Sequence, residues 1–139
     1  MTLIQLIELI KTVSLSKPNI NFFGEGDIYT LNSNPSVNYS LVFVTQGTHT
    51  LAEDTSSFNL NIFYVDRLED DFDNRLLIQS NGIEALKNII NTLINEYDVV
   101  IDGDIRFTSF NQRFTDNCAG VFCNLTIITD SNLGYCGYE

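Results

Sequence analysis

Basic residues are scarce in this sequence, and their shortage limits the partners that the protein can hold. The chain has 7 Lys and Arg against 18 Asp and Glu, which gives a formal net charge of −11 at pH 7. Proteins grip the phosphate backbone mainly through Lys and Arg, so this chain lacks the main source of affinity for nucleic acid. The charge is nevertheless compatible with a surface along which DNA slides without tight binding.

Histidine and cysteine are also scarce. His49 is the single histidine, and Cys118, Cys123 and Cys136 form no Cys-x-x-Cys pair. Zinc sites need clusters of these residues and a disulfide framework needs an even set, so we expect neither and predict reduced, structural thiols. Cys123 falls on the apolar face of a predicted strand, which favours a packed thiol over a nucleophile. His49 lacks an acid or nucleophile at a recognisable spacing.

Short motifs of catalysis and nucleotide binding are missing as well. The chain contains no GxSxG, no P-loop and no GxGxxG, so we expect neither an enzyme nor a bound cofactor. No apolar run approaches the ~20 residues of a membrane-spanning helix, and we expect no membrane partner. The length of 139 residues suits one domain, predicted here as residues 1–129 with an arm at 130–139.

The other predicted elements pair with a strand or pack on a helix that both lie between residues 58 and 97. Alternation predicts a strand with an apolar face of Phe58, Leu60, Ile62 and Tyr64. Phe63 and Val65 lie on the other face of that strand, and we expect a neighbouring subunit to cover them. Apolar residues then recur at helical spacing and predict a second helix packed on the core. They are Ile83, Leu86, Ile89, Ile90, Leu93, Ile94 and Tyr97.

The first helix is predicted over residues 3–13. Thr2 and Gln5 have the spacing of a capping box at its start. Its apolar residues cover more of the circumference than one core face requires. Either the helix is covered on several sides within its own domain, or part of it contacts another subunit. Leu3, Ile4 and Ile7 are therefore candidate interface residues.

The remaining strands complete an α+β fold. We predict strands at residues 27–31 and 39–46, the first forming a hairpin with the second, and strands at 105–114 and 121–129 after the second helix. A short strand at 99–101 is a further candidate, and residues 47–57 are either a loop or an extension of the sheet. The predicted order is α-β-β-β-α-β-β, a mainly antiparallel sheet with both helices on one face.

An acidic run joins the central strand to the second helix. It consists of Asp66, Glu69, Asp70, Asp71 and Asp73. A calcium loop would need alternating donors and a central glycine, which the run lacks. Two interpretations remain: a solvated turn that precedes a helix N-terminus, or an interface in which the run meets arginines of a neighbouring subunit. A small acidic metal-binding or metal-dependent enzyme or regulator is the alternative from another functional class.

Arg67 and Arg75 flank the acidic run, and the segment that contains them resembles part of a known family of proteins. The segment at 64–93, YVDRLEDDFDNRLLIQSNGIEALKNIINTL, contains a D-R-L, D-x-x-N and I-Q-S progression that leads into the second helix. It is similar in character to small virion neck proteins of phages of Bacteroides-type hosts, including crAss-like phages. The order of elements in the whole chain resembles tail terminator and tail completion proteins of tailed bacteriophages.

The resemblance implies a structural virion protein that forms a homo-oligomeric ring at the neck or tail. Such a head-to-tail connector or tail terminator joins tail to head and lets DNA pass without tight binding. Its expected partners are copies of itself and neighbouring connector, portal or tail-tube proteins, assembled in the host cytoplasm. In such a ring the acidic run of one subunit faces Arg67, Arg75, Arg106 or Arg113 of the next.

Overall fold

The computed structural model describes residues 2–27, 39–68, 74–111 and 118–130. Within these residues, two helices and a six-stranded sheet form an α+β fold, as predicted from the sequence. In chain order the elements are α1 (Leu3–Leu15), β1 (Phe22–Glu25), β2 (Leu41–Leu51), β3 (Thr55–Arg67), α2 (Arg75–Tyr97), β4 (Val100–Ile101), β5 (Phe107–Asn111) and β6 (Cys118–Asp130). Apart from Asp130, which belongs to β6, the arm predicted at 130–139 lies outside the described residues.

Three long antiparallel strands form the centre of the sheet. The strand order is β1-β2-β3-β6-β4, and β5 also pairs with β6. β3 pairs with β6 along its whole length, from Thr55 opposite Asp130 to Arg67 opposite Cys118. β4 and β5 pair with different parts of β6, so they lie one after the other along the same edge. The order α-β-β-β-α followed by further strands is confirmed, with the short β4 present.

The hairpin predicted before β2 is wrong. β1 begins at Phe22, upstream of the predicted strand at 27–31, and runs parallel to β2 with Phe22 opposite Leu41. Asp27 lies outside any strand, and residues 28–31 lie outside the described part of the chain. A parallel pair needs a long connection because the chain must return to the same end of the sheet. Residues 26–40 provide this connection.

The stretch at 47–57 extends the sheet. β2 continues to Leu51, and the N–H of Ala52 donates to the carbonyl of Thr55 at 2.8 Å, which closes a hairpin with β3. His49 lies in this extension, with its ring 5.3 Å from that of Phe58 in an edge-on arrangement. Of the two alternatives left open by the sequence, the strand is the one observed.

The first helix begins as its capping box predicts. The N–H of Gln5 donates to Thr2 Oγ1 at 3.2 Å, and the N–H of Thr2 donates to Gln5 Oε1 at 2.9 Å. Reciprocal bonds of this kind satisfy backbone donors that have no partner within the helix. The helix buries Leu6, Ile10 and Val13 on the sheet.

The second helix begins eight residues before the first apolar position of its predicted stripe. It packs closely on the sheet at Gly82, where a Cβ would lie 2.8 Å from Tyr64 Cδ1 and 3.1 Å from Val121 Cγ2. It ends at Tyr97, the last residue of the predicted stripe, and the φ of 56° at its C-cap Asp98 is left-handed. The N–H of Val99 then donates to the carbonyl of Leu93 at 3.1 Å and closes the helix terminus.

The sheet carries a hydrophobic cluster on each face. The larger cluster packs α1 and α2 against Leu60 and Ile62 of β3, as the predicted apolar face requires. The other cluster lies on the face away from the helices. It consists of Leu41, Phe43, Phe63, Val65, Phe110 and Cys118. Phe63 is only 7% exposed and Val65 is fully buried, so the expectation that a neighbouring subunit covers them is wrong.

Candidate assembly surface

The predicted interface residues of α1 separate into exposed and packed side chains. Ile4 is 75% exposed, which makes it the most exposed of the large apolar side chains in the described part of the chain. Leu3 and Ile7 are partly buried and pack against the main core. Their packing within the protomer explains part of the excess apolar width of this helix. Ile4 is the residue of this group that is free to contact a partner.

Two adjacent leucines at the start of α2 form a second exposed apolar site. Leu76 is 69% exposed and Leu77 is 62% exposed. Sequence reasoning missed them because it started the helix at the stripe of residue 83. Asn74 was the available signal, since Asn is a preferred residue immediately before a helix. Asn74 is the N-cap, although its side-chain amide donates to the carbonyl of Arg67 at 3.2 Å and makes no side-chain cap bond.

Further apolar side chains are exposed at the C-terminal end of α2. Ile94 and Tyr97 are partly exposed, and Val100 of β4 is more than half exposed. Leu76 and Ile94 are 18 residues apart, which is about five turns at 3.6 residues per turn, so they lie on the same line along the helix. The exposed apolar side chains therefore occupy both ends of α2.

The two arginines beside the acidic run have partners within the protomer. The guanidinium of Arg67 lies 4.9 Å from the centre of the Tyr39 ring, in a cation–π contact. Arg75 donates to Gln79 Oε1 at 3.2 Å, and Gln79 Nε2 donates to the carbonyl of Phe110 at 3.1 Å. This relay ties the start of α2 to β5.

Most of the acidic run lies outside the described residues. The described ranges include Asp66 but do not include Glu69, Asp70, Asp71, Asp73 or Arg113. Within the described ranges, no group of three or more His, Cys, Asp or Glu side chains could hold a metal ion. Neither the interface interpretation of the run nor its metal-binding alternative is tested by the described residues.

Asp66 lies at a polar pocket beside the ends of β2 and β3. Ser40 Oγ donates to Asp66 Oδ2 at 2.8 Å, and Tyr64 Oη donates to Ser40 Oγ at 3.1 Å. Burial raises the pKa of Tyr64 and the charge of Asp66 raises it further, while the hydrogen bond to Ser40 opposes them. The pocket has a volume of about 420 Å³. Its lining also includes Pro18, Asn19, Asn21, Tyr39 and Asn81.

The sheet face away from the helices is polar beyond its hydrophobic cluster. Asn59 and Asn124 exchange side-chain hydrogen bonds at 2.8 and 2.9 Å, and Asn124 also donates to Asn61 at 3.0 Å. Asn61 continues the ladder to Thr45 at 3.3 Å. These side chains are uncharged and largely occupied by one another. Asp104 and Arg106 line a pocket together with Asn124, so one acidic and one basic residue lie beside the ladder.

Cys123 is a packed thiol, as predicted. It is buried in β6, and burial raises its pKa to about 12. Because the thiolate is the reactive form, a thiol with this pKa is a poor nucleophile near neutral pH.

Comparison with known proteins adds no family to these observations. No family model matches the sequence, and no curated protein gives a significant match. Neither helix in the described part of the chain is long and apolar enough to cross a membrane.

Proposed function

We propose that this protein is a structural subunit of a homo-oligomeric ring at the neck or tail of a bacteriophage particle. The ring joins tail to head and lets DNA pass, and the subunit performs no catalysis. The proposal rests on the resemblance of residues 64–93 to small virion neck proteins and on the surface of the two helices.

The exposed aliphatic side chains of the helices are the observation that carries the proposal. Ile4, Leu76 and Leu77 are each more than 60% exposed. Fully burying a side chain of this size stabilises by about 1.5–3 kcal/mol. Contact with a partner would therefore recover a large part of that energy at each of the three side chains. A single exposed leucine is ordinary, but a pair at one helix end together with Ile4 favours a contact surface.

A closed ring can bury such a surface through one repeated contact. In a head-to-tail contact, one patch of a subunit meets a different patch of the next copy, and the assembly closes when the rotation between copies is right. The apolar sites at the two ends of α2 and on α1 provide patches that differ from one another. No additional protein is needed to cover them in a closed ring.

The charge of the chain supports the passage of DNA. With a net charge of −11, the subunit repels phosphate, and a ring of such subunits does not retain DNA in its channel.

The composition of purified phage particles tests the proposal. We expect mass spectrometry to detect the chain in particles purified through a density gradient, at a copy number fixed relative to the portal protein. Negative-stain microscopy of the purified protein should show rings. Absence of the chain from the particles would contradict the proposal. A compact monomer whose stability changes when divalent ions are added or chelated would instead support the metal-dependent alternative.

A further inference from the structure

The carboxylate of Asp66 has hydrogen-bond partners but no cationic partner among the described residues. Oδ2 accepts from Ser40 Oγ at 2.8 Å, and Oδ1 accepts from the N–H of Arg67 at 2.8 Å. The guanidinium of Arg67 is directed to the ring of Tyr39. Each carboxylate oxygen has a second lone pair, so Asp66 can accept further hydrogen bonds while its negative charge is not neutralised.

The hydrogen bonds beside Asp66 run in one direction. Tyr64 donates to Ser40, and Ser40 donates to Asp66. The Tyr64 hydroxyl is protonated at neutral pH, as tyrosine ordinarily is, and burial raises its pKa further. Both hydroxyl protons are therefore used inside the chain. At Tyr64, Ser40 and Asp66 the chain therefore offers a ligand lone pairs and a negative charge.

The rest of the pocket is also polar. Asn21 Nδ2 donates to the carbonyl of Tyr39 at 2.8 Å, so this amide is held in place and its oxygen remains able to accept. Asn19 and Asn81 line the same pocket with exposed side-chain amides. A ligand that fits this lining donates several hydrogen bonds and carries positive charge.

We propose that the pocket bounded by Ser40, Tyr64, Asp66 and Asn81 binds an ammonium or guanidinium group. Asp66 is the charge partner, and the oxygens of Ser40 and Asn81 accept the remaining N–H donors. Charge-assisted hydrogen bonds of this kind are about twice as strong as neutral ones. A calcium ion fits less well because it takes about six to eight oxygen ligands, commonly including several carboxylate oxygens, and the described lining holds one carboxylate, Asp66.

The cation has two possible sources with the same chemistry. It is either a free small amine or the Lys or Arg side chain of a second copy of this chain. The inference does not depend on the ring proposed above, since a monomer can bind a free amine and a ring can form without this pocket.

An NMR titration with methylguanidinium and methylammonium tests the pocket. We expect millimolar binding, with chemical-shift changes centred on the amides of Ser40, Tyr64 and Asp66, and no binding of the neutral probe N-methylacetamide. Asp66→Asn should weaken binding by about tenfold or more, since it removes the charge and keeps the shape. Asp102→Asn is the matched control, because it removes one charge from an exposed residue outside the pocket.

A second variant protects the test against misfolding. Asn81→Leu changes an exposed side chain at the pocket, so it should fold normally and still weaken binding severalfold. Self-association measured with and without saturating methylguanidinium distinguishes the sources. Competition indicates a side chain from a second copy, and unchanged association indicates a free amine. No localised shift changes in the wild-type protein, or equal binding by the Asp66 and Asp102 variants, would overturn the proposal.

Discussion

The exposed leucines at the start of α2 allow assembly to be separated from folding. Replacing Leu76 and Leu77 with glutamate removes two aliphatic side chains that are 69% and 62% exposed. If a neighbouring copy buries that exposed part, each leucine contributes about 1–2 kcal/mol to the contact, taken from about 1.5–3 kcal/mol for full burial. The pair then contributes about 2–4 kcal/mol, so association should weaken by about 30-fold or more.

The same substitutions should leave the protomer folded. Both positions lie in the first turn of α2, which has no acidic residue, and the side chain of its N-cap residue makes no capping hydrogen bond to the helix. Glutamate there stabilises a helix by about 0.3–1 kcal/mol through the helix dipole. This gain offsets the loss of the buried third of each side chain, so the free energy of unfolding should change by less than about 1 kcal/mol.

Sedimentation velocity over a range of concentrations measures the association, and urea unfolding measures the stability. Leu51→Glu is the matched control, because Leu51 is also 62% exposed but lies at the tip of the β2–β3 hairpin. Equal association of the double variant and the wild type would refute the contact. Equal weakening of association by Leu51→Glu would show that the effect is not specific to the leucines at the start of α2.

Four further changes test the fold and its surroundings. Ile90→Asp should abolish folding, because it buries an unpaired carboxylate in the core, and circular dichroism would show the loss. Asp70→Asn with Asp71→Asn should change the free energy of unfolding by about 0.5 kcal/mol or less, while reducing assembly if the run is an interface. Gly82→Ala should lower the melting temperature, because overpacking against β3 costs about 1–3 kcal/mol against a gain of about 1 kcal/mol in helix propensity. Burial raises the pKa of the Cys123 thiol from 9.0 in the unfolded chain to about 12 in the folded protein. Only the unfolded state gains from ionisation between these pH values, so the free energy of unfolding should fall there as pH rises. Cys123→Val should reduce this fall.

The first three of these tests each have a control or a result that would contradict them. Asn91→Asp places the same carboxylate on the exposed side of α2 and should fold. Asn95→Ala, on the exposed surface of the same helix, should not lower the melting temperature. A Gly82→Ala protein that melts higher than the wild type would contradict the close packing on β3. Loss of folding when Asp70 and Asp71 are neutralised would contradict a surface role for the acidic run.

Local patterns in the sequence predicted the elements whose causes are local. The capping box of Thr2 and Gln5 and the alternation along β3 depend on neighbours a few residues away, and both are confirmed. The end of α2 at Tyr97, the last residue of its predicted stripe, is a further case. The parallel pairing of β1 depends on where a distant strand lies, so hydrophobic alternation could not reveal it.

The sites were harder to predict than the elements. Leu76 and Leu77 belong to a helix but lie outside its buried stripe, so a search for the stripe passed over them. The polar pocket combines residues from the α1–β1 connection, the two residues before β2, the strand β3, and α2. Asn19, Ser40, Asp66 and Asn81 share no spacing in the sequence, and only the folded chain brings them together.

Burial of the second hydrophobic cluster restricts where subunits can meet. Phe63 and Val65 are covered within the protomer, so the apolar part of the face away from the helices has little surface left for a partner. The amide ladder beside it is satisfied by its own hydrogen bonds. The exposed aliphatic side chains lie instead mainly on α1 and α2. In the proposed ring, neighbouring subunits therefore contact one another through the helix layer, and the sheet face away from the helices is directed toward neutral or aqueous surroundings.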